Sequence, residues 1–244
     1  TMWVNSGSMS NKGWEIAANF TPFDKRDFYM NINTNLGFNR NEILSLVEGI
    51  NFIETGDFAS KVGKNYSYVG RPMGDMYAAT NQVVEDGPYK GRNIVNASGQ
   101  YVMTNDYQLI GNAMPKCVGG LGFNLNYKGF GLDIMTDFRI GGLIANDCYR
   151  YTMTAGVNPE TLNREGEGFY DYTYSNGLTK KTGIILDGVV SDGNGGWTEN
   201  KTVIAYEDYI SSKNAWGTAP GIVNATYQFF DNTWWKLREA NFSY

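Results

Sequence analysis

The chain has 244 residues, a formal net charge of −5 and a sequence pI near 4.9, and it carries no Lys/Arg cluster able to neutralise phosphates, which argues against a nucleic-acid partner. It has no histidine, which removes Ser-His-Asp and Cys-His nucleophile schemes and the commonest zinc ligand. Its two cysteines, Cys117 and Cys148, fit no metal-ligand spacing and leave both a bridge and two free thiols open. Thirty glycines, 27 asparagines and 15% aromatics favour strands, turns and polar surfaces over helices, so the composition predicts an all-β fold. No stretch approaches the ~18 apolar residues of a membrane helix, but a transmembrane strand needs only about 9 to 11 residues, with alternate ones apolar.

In chain order, a first strand pair is predicted at Gly13–Phe20 and Phe28–Asn39, joined by Thr21–Asp27. In its second member Phe28, Met30, Ile32, Leu36 and Phe38 share one face, and Tyr29, Asn31, Asn33, Asn35 and Asn39 the other. Asn41–Val47 is the one window with a helical period, barely two turns of it. Irregular Gly- and Asn-rich sequence then runs from Arg40 to Pro115. A hairpin follows within Gly119–Gly142: Leu121, Phe123, Leu125 and Tyr127 alternate against Gly122, Asn124 and Asn126, and after the Lys128-Gly129 joint Phe130, Leu132, Ile134, Phe138 and Ile140 alternate against Gly131, Asp133, Met135, Asp137 and Arg139. A second irregular stretch, Gly141–Asn232, precedes a last strand signal, "TWWKLREANFSY".

Strand, short joint, strand, very long loop is not the rhythm of soluble sandwiches, whose turns recur every ~8 to 12 residues. It is that of outer-membrane barrels, with tight periplasmic turns and long extracellular loops. Alternation by itself also suits a soluble sheet with its apolar row on a second sheet.

Seven segments stand out in chain order: "NSGSMSNKGWEIAANF" (Asn5–Phe20), "VGRPMGDMY" (Val69–Tyr77), "LIGNAMPKCVGGLGFNLNYKGF" (Leu109–Phe130), "FRIGG" (Phe138–Gly142), "TLNREG", "LDGVV" and "WWKLREANFSY" (Trp234–Tyr244). In that order they resemble the C-terminal half of SusC/RagA-type TonB-linked outer-membrane proteins. Cys117 and the doubled tryptophan depart from the pattern. The resemblance implies part of a large antiparallel transmembrane β-barrel of about 22 strands with long extracellular loops and an N-terminal plug. About five strands are recognisable, too few to close even the ~8-stranded minimum. Residues 1–244 are therefore expected to be a C-terminal portion of the receptor barrel, with plug and TonB box absent.

The implied function is TonB-dependent nutrient import, of oligosaccharide or peptide, across the outer membrane of a Bacteroidetes-type Gram-negative cell. The implied partners are a SusD-like surface lipoprotein, the TonB complex acting through the plug, and outer-membrane lipid; no cofactor, metal or catalysis is implied. Asn31, Asn33, Asn35, Asn124, Asn126, Asp133, Asp137 and Arg139 are the lumen-facing candidates. Trp14, Tyr127, Phe130, Trp234 and Trp235, near predicted strand ends, are candidate membrane-interface aromatics. Tyr170, Tyr172, Tyr174, Trp197 and Trp216 are candidate ligand or lid contacts in the loops. Glu165 with Glu167, or Asp133 with Asp137, have a spacing usable by a glycosidase, but such spacings are common and polar loop and lumen-facing residues are the better reading. "SDGNGGW" (Ser191–Trp197) looks like a calcium loop but lacks its bidentate Glu, which makes a surface turn the better reading. "GRPMG" has neither the Lys nor the following helix of a phosphate loop, and is expected to bend a loop at the barrel mouth. A secreted carbohydrate-binding β-sandwich is the alternative from another class, and a passive porin a third.

Overall fold

The computed structural model describes residues 7–58, 63–213 and 225–244. Its frame is a five-stranded, wholly antiparallel sheet built from β1 (Gly7–Lys25), β2 (Phe28–Leu46), β7 (Cys117–Tyr127), β8 (Phe130–Ile140) and β16 (Trp234–Ser243), in the order β1-β2-β7-β8-β16. Its two hairpin turns lie together at one end. Lys128 (φ 50°) and Gly129 (φ 91°) adopt the left-handed backbone that a two-residue hairpin needs, and the Lys128 N–H donates to the Asp27 carbonyl at 3.1 Å. Both long insertions leave from the opposite end.

Between β2 and β7 an antiparallel sheet forms from β3 (Phe52–Phe58), β4 (Gly63–Tyr68), β5 (Asp75–Ala78) and β6 (Gln108–Asn112). Between β8 and β16 lie β9 (Leu143–Ala145), helix α1 (Asp147–Ala155), β10 (Tyr170–Thr173), β11 (Thr179–Ile185), β12 (Val189–Ser191), β13 (Trp197–Glu199), β14 (Val203–Ala205), helix α2 (Tyr206–Lys213) and β15 (Phe229–Asp231). The two insertions are knit together. Val95 N–H donates to Val189 O (2.8 Å), Val189 N–H to Asn93 O (2.9 Å), and the Arg92 guanidinium meets Asp187 (2.8 Å) and Glu199 (2.9 Å).

The apolar core sits in these insertions, in Ala78, Val95, Met153, Leu186, Val189 and Ile204. Of the buried apolar side chains, Ile43 and Cys117 alone belong to the five-stranded sheet. The sheet therefore has no core of its own among the described residues.

Several expectations need correction. Asn41–Val47 is not helical: β2 runs through to Leu46, paired with the start of β1, and its Ile43 is buried where Gly70 N–H and Arg71 O bond to its backbone. Tertiary pairing overrides a two-turn period. The Thr21–Asp27 joint is mostly strand, with only Arg26 and Asp27 in the turn and a bulge between Phe20 and Phe23 that accommodates Pro22. The long loops are not irregular throughout, since they hold eleven strands and two α-helices. Cys117 is buried and Cys148 exposed, and both are free.

Candidate functional site

Register sorts the sheet into two chemically distinct faces. On one, residues paired across all five strands form apolar rungs: Phe20, Ile32, Phe123, Ile134 and Ala240; Phe23, Met30, Leu125, Leu132 and Phe242; Ile16, Leu36, Gly119, Phe138 and Trp235. These side chains meet solvent rather than protein, with Trp14 78%, Phe20 63% and Phe242 73% exposed. The threonine hydroxyls on this face are tied back into the sheet: Thr34 donates to Gly120 O at 2.9 Å and Thr136 to Leu121 O at 3.1 Å. Hydroxyls satisfied within the sheet suit a face turned to an apolar solvent.

Aromatics gather at both limits of this face. Phe28, Tyr127, Phe130 and Tyr244 lie at the turn end, and Trp14, Phe38, Phe138 and Trp235 toward the other. The ten residue steps from Phe28 to Phe38 span roughly 33 Å of strand, or about 25 Å of height at a barrel's usual tilt, which matches the apolar band of an outer-membrane protein.

The opposite face carries Asn31, Asn33, Asn35, Asn124, Asn126, Asp133, Asp137 and Arg139 together, as the sequence predicts. Asn31 bonds Asn19 (2.5 Å) and Thr21 (2.9 Å), Asn124 bonds Asp133, and Arg139 donates to Ala113 O at 2.7 Å. The pattern missed Glu15, Asn19, Lys236, Arg238, Glu239 and Asn241, which share this face. Arg238 grips Asp137 with two bonds of 2.7 Å, and Lys236 stands across from the same carboxylate. Trp234 is a correction: it pairs with Arg139 on the polar face, with the Lys236 ammonium 4.4 Å from its ring centre, whereas Trp235 packs on Phe138 on the apolar face. Trp14 lies well inside β1, at the upper edge of the apolar band rather than at a strand end.

Among the described loop candidates, Tyr174 alone borders a cleft of about 760 Å3 in the second insertion, beside Arg164, Glu165, Lys180, Thr182 and Glu207. The Tyr174 hydroxyl bonds Thr182 at 2.8 Å, which favours its ionisation; burial and the Glu207 carboxylate outweigh that and raise its pKa. Tyr170 and Tyr172 lie on β10, Trp197 begins β13 away from the cleft, and Trp216 lies outside the described residues. In the Ser191–Trp197 turn Asp192 accepts from the Asn194 and Gly196 N–H groups, each at 2.8 Å. Among the described residues no three or more Cys, Asp or Glu stand close enough to hold a metal. The polar face can thus offer many weak amide and charged contacts in rows.

No family model matches the chain. Two curated relatives are TonB-dependent receptors of Formosa agariphila, P39 at 24% identity over 190 residues and P3 at 25% over 159. They match 60% and 58% of this chain, which spans 18% and 16% of their lengths. The RagAB peptide transporter superposes on 98% of the chain with a TM-score of 0.53 at 20% identity, and the 'open-open' RagAB peptide importer on 97% with 0.52 at 16%. The chain covers 23% and 22% of those structures, and at such identities the likeness is one of fold. The chain thus resembles TonB-dependent receptors in sequence and the RagAB transporter in fold. The shared fold includes the sheet with short turns at one end and long folded insertions at the other.

Proposed function

We propose that residues 1–244 form a C-terminal portion of the barrel wall and outer face of a TonB-dependent receptor. The whole protein would import a nutrient, oligosaccharide or peptide, across the outer membrane. The observation that carries this reading is the two-faced register: one face apolar over about 25 Å and ringed by aromatics, the other lined by Asn, Asp and Arg. The apolar face then meets lipid, and the Asn31, Asn33, Asn35, Asn124 and Asn126 rows line a wide polar lumen. The outer edges of β1 and β16 have no partner among the described residues. Further strands would pair both edges, in a wall of about 22. The turns Arg26–Asp27 and Lys128-Gly129 would face the periplasm and the two insertions the exterior, where a SusD-like lipoprotein would cap them.

The test is fractionation and uptake with the full-length protein. It should enter the detergent-soluble outer-membrane fraction, run faster on SDS gels until heated, and take up labelled oligosaccharide or peptide only when TonB is present. Uptake without TonB would leave a passive porin. Recovery in the soluble fraction would favour the carbohydrate-binding sandwich, which needs a second sheet over Trp14, Phe20 and Trp235 that the described residues do not supply.

A further inference from the structure

The cleft in the second insertion is separate from the polar face of the sheet, and its volume of about 760 Å3 lies in the range of small-ligand sites. Charges of both signs converge on it: Arg164 and Lys180 as cations, Glu165 and Glu207 as anions. Arg164 is held in place, its Nε donating to Thr161 O at 2.5 Å and its Nη2 to Gly156 O at 2.6 Å, so a cation stands ready at little further entropic cost. Leu162, 78% exposed, and the half-buried Ile210 supply an apolar surface at the cleft.

The aromatic rings at the cleft are already engaged. Tyr174 meets Tyr172 edge to face (5.1 Å, 85°), and Tyr206 meets Phe169 likewise (5.5 Å, 87°). The cleft therefore presents hydroxyls and paired charges rather than a free ring on which a neutral pyranose would stack.

We propose that this cleft binds a short peptide with both termini free. The ammonium is taken by Glu165 and Glu207, the carboxylate by Arg164 and Lys180, and a side chain lies over Leu162 and Ile210. The inference rests on the importer reading only in placing the cleft outside the cell, and binding itself needs neither TonB nor transport.

The experiment is titration calorimetry of the full-length protein in detergent with tetra-alanine, N-acetyl-tetra-alanine amide and maltotetraose. Saturable binding of tetra-alanine alone is expected. Lys180→Glu and Glu207→Lys, both at exposed positions, should each weaken it at least about tenfold, as loss of a charge-assisted contact implies, and the double exchange should recover part of it. Unchanged SDS-gel mobility of the unheated variants shows that they fold. Equal binding of the blocked peptide, preference for maltotetraose, no binding, or undiminished affinity in both single variants would overturn the proposal. A protein that binds tetra-alanine yet does not import refutes the importer reading alone, and one that imports without such binding refutes this site alone.

Discussion

Asn33 on β2 stands directly across from Gly122 on β7, and its side-chain amide occupies the space that a Cβ at residue 122 would need. The pairing lets a long polar side chain lie flat along the sheet instead of projecting from it. On the other face Gly119 is crowded by fixed atoms, since a Cβ there would come within 2.5 Å of the Asn35 carbonyl oxygen and 2.8 Å of the Phe138 ring. The two alanine substitutions should therefore differ. Gly119→Ala should cost about 1–3 kcal/mol, the range of an overpacked site. Gly122→Ala should cost less, because the Asn33 amide can rotate aside. Urea unfolding of the full-length protein in detergent reads both, and an equal cost would mean that the Asn33 side chain is as fixed as backbone.

Charge placed on either face distinguishes lipid from lumen. Ile134 lies at the middle of the apolar band and Leu132 one rung nearer the turns. Ile134→Arg should cost roughly 2–4 kcal/mol, and Leu132→Arg somewhat less, because the penalty falls away from the midplane. Asn124→Arg sets a cation beside Asp133 on the polar face and should be far milder. Folding yields into lipid vesicles give the ranking; similar losses from Ile134→Arg and Asn124→Arg would exclude a polar lumen.

How far these faces are legible in the sequence depends on bulges. Along β7 and β8 the pairing is unbroken, so strict alternation assigns Asn124, Asp133, Asp137 and Arg139 correctly. In β16 the same rule puts Glu239 and Asn241 with Leu237. The bulge between Leu237 and Glu239 inserts one residue and flips everything after it, bringing Glu239 and Asn241 to the polar face and Phe242 to the apolar one. Nothing local in "KLREAN" announces that step. The insertions are opaque for another reason: β9, β12, β13, β14 and β15 are three residues each, too short to carry a period, and are fixed by contacts such as Val95 with Val189. The cleft gathers Arg164, Lys180 and Glu207 from separate parts of the insertion, and of its residues the sequence singled out Tyr174 as a contact and Glu165 only as half of a carboxylate pair.

Arg238 sits in the β16 bulge and reaches Asp137 with both arms of its guanidinium, yet its side chain is half exposed. Such an exposed pair contributes little and is screened by salt. Arg238→Gln should accordingly cost little, because Lys236 still opposes the carboxylate. Asp137→Asn should cost more, since it leaves Arg238, Lys236 and Arg139 on one patch with their nearest counter-charge removed. Both costs should shrink when unfolding is repeated at high salt. A salt-independent loss at Arg238 would assign its effect to packing over Trp234, whose ring centre lies 5.8 Å from the guanidinium carbon.

The β3–β6 sheet carries an aromatic cluster with its own pH signature. Phe52 stacks on Tyr68 at 4.9 Å, and Tyr66 meets Phe52, Tyr77 and Tyr107 at 5.3, 5.4 and 6.3 Å. Burial is the largest cause raising the pKa of Tyr66, Tyr77 and Tyr107, with the Glu54 carboxylate adding to it at Tyr66 and Tyr107. A phenol whose pKa is higher in the folded state stabilises that state fully below its unfolded pKa of about 10 and loses this contribution as pH rises through the folded value. The first insertion should therefore loosen above about pH 10, while the five-stranded sheet stays paired. Phenolate absorbance should show a late-titrating group of tyrosines that Tyr66→Phe reduces, and the same variant should raise the pH at which hydrogen exchange in β4 and β5 accelerates. Titration of all tyrosines as a single ordinary class would mean that the cluster is open to water.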